Sequence, residues 1–415
     1  MTTVSERWVA KLRLADLPDH ELTGQRVFVR VDFNVPVDET GSVEADARIR
    51  RSLPTLQRLR EAGARSVLLS HLGRPGGRAD PALSLKHVGE RVSELLGSDV
   101  RFVEGVVGPQ VVEAVEALEP GGFVLLENTR FHPGEKENDP ELCRAWADLA
   151  DLYVSDAFGS AHRAHASTVG LAEAVREAGG LAVAGALMDE EIRFLHEALD
   201  DPDRPFVAIL GGAKISGKID AVESFLPRVD RLLVGGAMAN TFFRALGLET
   251  GASLVEEDRI EMARDVLERG GERIVLPVDC VVADAIESGV ECRVVERSEI
   301  GPGDSVGDIG PATRRLFGEI IRDARTVVWN GPLGVFEIDE FAEGTMEVAR
   351  HVAETSDEGT VTIVGGGDSA AAVDESGMAD RIDHISTGGG AALELLSGAS
   401  LPGIEALSDA EAARS

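Results

Sequence analysis

Arginines and histidines punctuate the first half of this 415-residue chain, and glycines with lysines punctuate the second. Both sets stand at or just beyond the ends of apolar runs. In open parallel sheets ligands bind beyond the carboxyl ends of the strands, so those stops are the positions to search for chemistry. In the first half they are Arg48, His71, Arg74, Arg130, His162, Arg163 and His165. Guanidinium groups grip carboxylate and phosphate through paired N–H bonds. Gathering them at one sheet edge in an acidic chain is unfavourable unless an anion binds there, while Asp32 and Asn34 add groups for hydroxyl recognition. The predicted ligand is a small phosphorylated acid.

In the second half, GGAKISGK (211–218) matches GxxxxGK from Gly212 to Lys218, but Ile219 stands where a P-loop needs Ser or Thr. Its amides and two lysines still suit phosphate. GGGDSA (365–370) fits the dinucleotide pattern GxGxxA. It lacks the acidic residue about 20 positions on, and the next strand ends in ISTGGG instead. A second triple glycine, Gly388 to Gly390, opens onto helix-prone AALELL. Two Gly-rich turns at helix N-termini can aim amides and dipoles at one transferring anion. In WNGPLGVFE (329–337), Glu337 can accept from a ribose, and the Pro and Val can flank a base. Taken singly, each of these motifs also reads as an ordinary tight turn or surface loop.

The elements that must position these groups are eleven strand-like runs: 26–34, 65–74, 99–104, 122–131 and 152–163, then 205–214, 231–238, 273–280, 325–332, 360–369 and 384–390. Helical-period segments between them supply parallel crossovers. The alternation breaks over 182–205, read as one amphipathic interdomain helix, and restarts at Phe206. The expected fold is α/β, with two doubly wound, Rossmann-like parallel-sheet domains joined by a helix.

Lys plus Arg total 41 and Asp plus Glu 73, a net charge of −32, which argues against nucleic acid and anionic membrane as partners. Lysine is scarce: only Lys11, Lys86, Lys136, Lys214 and Lys218 occur. Acidic, lysine-poor composition is expected of a cytoplasmic protein from a salt-accumulating organism, an acidic mesophilic enzyme being the plainer reading. Cys143, Cys280 and Cys292 lack CxxC spacing, so they read as packed thiols. No run approaches the ~18 apolar residues of a membrane span, and the N-terminus lacks a signal-peptide pattern, so a cytoplasmic location is expected.

From about Val27 to Gly403 the chain resembles phosphoglycerate kinases. The motifs, in order, are RVDFNVPV, ARIRRSLPT, SHLGRP, LLENTRFHPGEKEND, DAFGSAHRAHAST, LGGAKISGKI, GGAMANTF, WNGPLGVFE, GGGDSAAAV and HISTGGGAALELL. Departures are mild: Ser160 and Ser369 stand where the family commonly has Thr, and Gly217 where it has Asp or Thr.

The resemblance implies phosphoryl exchange between 1,3-bisphosphoglycerate and ADP, giving 3-phosphoglycerate and ATP, with magnesium on the nucleotide. It implies an acid site of Asp32, Asn34, Arg48, His71, Arg74, Arg130 and Arg163. It implies a nucleotide site of Gly211, Ala213, Lys214, Lys218, Gly235, Gly236, Asn330, Pro332, Val335, Glu337, Gly366, Gly367, Asp368 and Ser369, with Asp368 toward the metal. Arg48 and Lys214 would flank the moving phosphoryl group, with amides of Gly366, Gly367, Gly389 and Gly390 around it.

Domains are expected at 1–185 (acid), 186–202 (connecting helix), 203–390 (nucleotide) and 391–415, the last returning to the first domain. Closure would bring the two ligands in line, and a monomer is implied. Both reacting groups are already ionised near neutral pH, so the absence of an evident base fits. Two rivals are an NAD-linked dehydrogenase using GGGDSA and a two-lobed solute-binding protein.

Overall fold

The computed structural model describes residues 10–38, 41–200 and 202–411. The chain divides into two compact units: residues up to Arg193 with those from Ser400 onward, and Phe194–Ala399.

The first unit is built on a six-stranded sheet in the order β3-β4-β2-β1-β5-β6. Its strands are β1 (Arg26–Val31), β2 (Arg65–Leu69), β3 (Val100–Val103), β4 (Phe123–Leu126), β5 (Leu152–Asp156) and β6 (Leu181–Ala184). Every neighbouring pair is parallel. Parallel strands are covered by crossover helices on both faces, which is why the runs are largely apolar rather than alternating. Val27, Val29 and Val31 of β1 are buried with Leu68, Leu125 and Val154 in one core. The chain order reverses between β1 and β5, so a crevice opens beyond their carboxyl ends.

The second unit carries a parallel sheet in the order β15-β14-β13-β7-β8-β9. Its strands are β7 (Phe206–Leu210), β8 (Arg231–Val234), β9 (Ile274–Val275), β13 (Thr326–Asn330), β14 (Val361–Gly365) and β15 (His384–Ile385). Val207, Ile209, Val327, Trp329 and Val364 form its core with the helices Pro311–Arg322 and Glu343–Asp357. Here the reversal lies between β7 and β13. A separate antiparallel sheet, β11-β10-β12, is formed by β10 (Asp279–Ala283), β11 (Arg293–Glu296) and β12 (Ser305–Ile309).

All eleven expected runs contain a strand, but three readings need correction. The run 273–280 is two strands in different sheets, β9 and β10, separated at Pro277. Proline has no N–H for a ladder, and pairing stops there. The segment 182–205 is not all helix: β6 pairs with β5 before the helix Ala186–Asp200 begins. The return to the first unit begins at Ser400, not 391. The helix Gly389–Leu396 buries Ala391, Ala392, Leu395 and Leu396 and packs on β14 and the helix Ile219–Phe225. Ser224 Oγ donates to Leu396 O there at 3.0 Å. Beyond it, Ser408 N donates to Ala182 O, Leu12 N to Ser408 O, and Lys11 pairs with Asp409 at 2.9 Å.

Candidate active site

In the first unit, the turns after β1, β2, β4 and β5 bring the expected cations together. Arg48, from the helix Ala47–Glu61, donates to Asp32 Oδ2 at 2.7 Å. Asp32 Oδ1 accepts from Asn34 N, and Asn34 Oδ1 accepts from Gly73 N at 2.9 Å, tying the β1 turn to the β2 turn. Arg130 follows β4; its Nη1 donates to Gly73 O at 2.7 Å, and Asn128 Oδ1 accepts from its backbone N–H. His71 is buried just after β2. Arg74 and Arg163 are exposed, and Arg163 Nε lies 2.9 Å from His162 Nε2.

The electrostatics of this cluster are those of crowded cations. Burial, with the charges of Arg30 and Arg163, lowers the Arg130 guanidinium to about 10. Burial pushes His165 down to about 4, helped by Arg130 and Arg30, and it also lowers His162. His71 falls well below the usual imidazole range, through burial first and then Arg30, Arg130, Arg48 and His165. Arg130 Nε and His162 Nδ1 are buried without a protein partner. An anion supplies what such a cluster lacks.

Sequence reasoning missed Arg30. It sits inside β1, only 1 % exposed, within a run read as an apolar strand. A cation in a buried parallel strand must be paired or bonded, and that lone charge was the available signal.

In the second unit the GGAK turn after β7 meets the WNGP turn after β13 at the switch point. Gly211 N donates to Asn330 O at 3.0 Å and Gly212 N to Pro332 O at 2.8 Å. Lys218 Nζ donates to Asn330 O at 2.9 Å and to Asn330 Oδ1 at 2.5 Å. Burial lowers this ammonium to about 8, against the opposing pull of Asp368. Gly331 has φ +95°, and a Cβ there would collide with Gly211 O and Lys218 Nζ, so only glycine fits. Ser369 Oγ accepts from Gly331 N at 2.5 Å, joining the third turn to the second.

The two triple glycines are neighbours. Gly366 caps the helix Gly367–Glu375, Gly388 caps the helix Gly389–Leu396, and a Cβ on Gly389 would lie 3.6 Å from Gly367 N. Beside these turns lies a cavity of about 230 Å³. Gly212, Ala213, Gly236, Pro332, Val335, Glu337 and Asp368 line it, together with Phe243, Pro277, Val306 and Ile309. Gly235 adjoins it through Leu333. The second set escaped sequence reading because it is drawn from separate elements, the helix Met238–Ala245, the link at Pro277 and β12, that share no motif. Lys214 and Gly390 are exposed, and Lys214 acts electrostatically on Glu256. Among the described residues no cluster of three or more His, Cys, Asp or Glu could hold a metal.

A profile of phosphoglycerate kinase matches residues 17–399. The chain belongs to the phosphoglycerate kinase family. It is 51% identical over 396 residues to the phosphoglycerate kinase of Chlorobaculum tepidum, spanning 95% of this chain and 99% of that one. It is 49% identical over 411 residues to the enzyme of Thermosynechococcus vestitus, spanning 98% and 100%. The structure of phosphoglycerate kinase from Coxiella burnetii superposes with a TM-score of 0.85 at 40% identity, over 95% of this chain and 98% of that chain. Its reaction is therefore the phosphoglycerate kinase reaction of glycolysis and gluconeogenesis, which removes the dehydrogenase and solute-binding readings. No described helix is long and apolar enough to cross a membrane.

Proposed function

We propose that the first unit holds 3-phosphoglycerate, or its acyl phosphate, and the second holds ADP or ATP. The acid site comprises Arg48, His71 and Arg130, with the exposed Arg74 and Arg163 turning onto the ligand and Asp32 and Asn34 at its hydroxyl. In the second unit, Pro332 and Val335 flank the base and Glu337 accepts from the ribose. Lys214, Lys218 and the amides of Gly211–Ala213, Gly235–Gly236 and Gly366–Ser369 surround the phosphates. The observation that carries this assignment is a single cavity lined by Glu337, Val335, Gly212–Ala213 and Asp368.

Asp368 is exposed in the first turn of the helix Gly367–Glu375, beside that cavity. One carboxylate is too little to hold magnesium alone, but it fits an ion carried mainly on nucleotide phosphates. When bound, the ion supplies charge neutralisation. The protein's share is positioning and charge stabilisation: Arg48 from the acid side, Lys214 from the nucleotide side, and the amides of Gly366, Gly367, Gly389 and Gly390. No proton has to be removed, because attacking and leaving oxygens are both ionised. The test is a coupled assay of ATP-dependent phosphorylation of 3-phosphoglycerate; no turnover with ATP and this acid would refute the assignment.

A further inference from the structure

Arg30 makes no contact that requires a substrate; its bonds run to the protein. Its Nε donates to Ser167 Oγ at 2.8 Å, Nη1 donates to Val31 O, and Nη2 reaches Ser160 Oγ at 3.3 Å and His71 Nδ1 at 2.9 Å. Ser167 lies in a single π-helical turn, Ala166–Gly170, and is fully buried. Its hydroxyl donates to Glu135 Oε1 at 2.5 Å, and its backbone N–H donates to Glu135 Oε2 at 3.0 Å. Glu135 is itself fully buried and also accepts from Thr129 Oγ1.

The direction of this chain is fixed at every link. A guanidinium has donors only, so the ring nitrogen it meets must be an acceptor. Ser167 can accept from Arg30 because its own proton goes to Glu135. His71 Nδ1 is therefore bare and its proton sits on Nε2, an assignment made from the hydrogen-bond network. Burial and the surrounding arginines keep the imidazole neutral.

We propose that Arg30, Ser167 and Glu135 act as positioning residues that lock His71 in its Nε2–H tautomer, so that the ring presents one fixed neutral donor to the acid substrate. This rests on the assignment of the acid site to the first unit. A histidine free to exchange tautomers would offer a lone pair to an anion part of the time. The chain prevents this while the imidazole itself stays neutral.

The test uses the full-length protein labelled with 15N-histidine, with the His71 signal among the nine histidines identified by its loss in His71→Gln. Two-bond 1H–15N spectra at neutral pH are expected to show a bare Nδ1 and a protonated Nε2. An Nδ1–H form or an imidazolium overturns the proposal, whatever the kinetics. In Ser167→Ala the signal is expected to become a tautomer mixture. KM for 3-phosphoglycerate should then rise about tenfold, with KM for ATP and kcat little changed. Retention of the single tautomer with unchanged KM removes Ser167 and Glu135 from the chain. A tautomer mixture with unchanged KM overturns the substrate-facing role. Unchanged acid KM in His71→Ala instead refutes the acid-site assignment itself, so the two failures are distinguishable.

Discussion

Lys218 Nζ is bonded to both oxygens of Asn330, the backbone carbonyl at 2.9 Å and Oδ1 at 2.5 Å, across the switch point of the second sheet. Two of its three N–H groups are thereby committed to the WNGP turn, leaving one for a phosphate. Burial lowers its pKa to about 8. The charged form attracts phosphate; it is present below that value and lost above it. Nucleotide affinity, followed by titration calorimetry, is expected to hold up to about pH 7.5 and weaken progressively above pH 8. In Lys218→Met it should be weak throughout and should lack this step. An unchanged step in the variant would assign the titration elsewhere.

Gly389 tests the paired glycine turns. A Cβ there meets only Gly367 N at 3.6 Å and Gly366 Cα at 3.9 Å, both ordinary contact distances. Gly389→Ala should therefore fold with a near-native melting temperature. Its methyl group would cover an amide assigned to the moving phosphoryl group, and kcat should fall about 100-fold. Full activity in a folded Gly389→Ala would remove these amides from the transition state.

Arg48 and Lys214 are assigned to the transition state more than to ground-state binding. Each alanine substitution is expected to cost about 3 to 4 kcal/mol of activation free energy, seen in kcat with modest changes in either KM. The Arg48 variant also strips Asp32 of its partner at 2.7 Å, so some loss of acid affinity accompanies it. Unchanged kcat in either variant would exclude that residue.

With a net charge of −32, self-repulsion is strongest in dilute buffer. The Debye length falls from ~10 Å at 0.1 M salt to ~3 Å at 1 M, so a salt-adapted protein should melt several degrees higher in molar KCl. A melting temperature independent of KCl would refute that adaptation and leave the catalytic reading untouched.

The parallel sheets were legible because strands buried on both faces are mostly apolar and end abruptly in Gly, Asn, Asp, His or Arg. The turns proposed to bind anions drew notice because glycine and cations recur at those ends. Arg30 was hidden by the apolar residues around it, and Ser167 and Glu135 stand in separate motifs whose pairing appears only when the fold brings them together. β6 was obscured by merging into the helix that follows it. Phe243, Val306 and Ile309 were invisible as cavity walls because tertiary packing alone makes them so.

The central assignment, an acid site in the first unit and a nucleotide site in the second, is tested most directly by two substitutions in one steady-state assay. Arg130→Ala is expected to raise KM for 3-phosphoglycerate and leave KM for ATP unchanged. Glu337→Ala should do the reverse. A crossed pattern, or both constants moving together in each variant, would contradict the account.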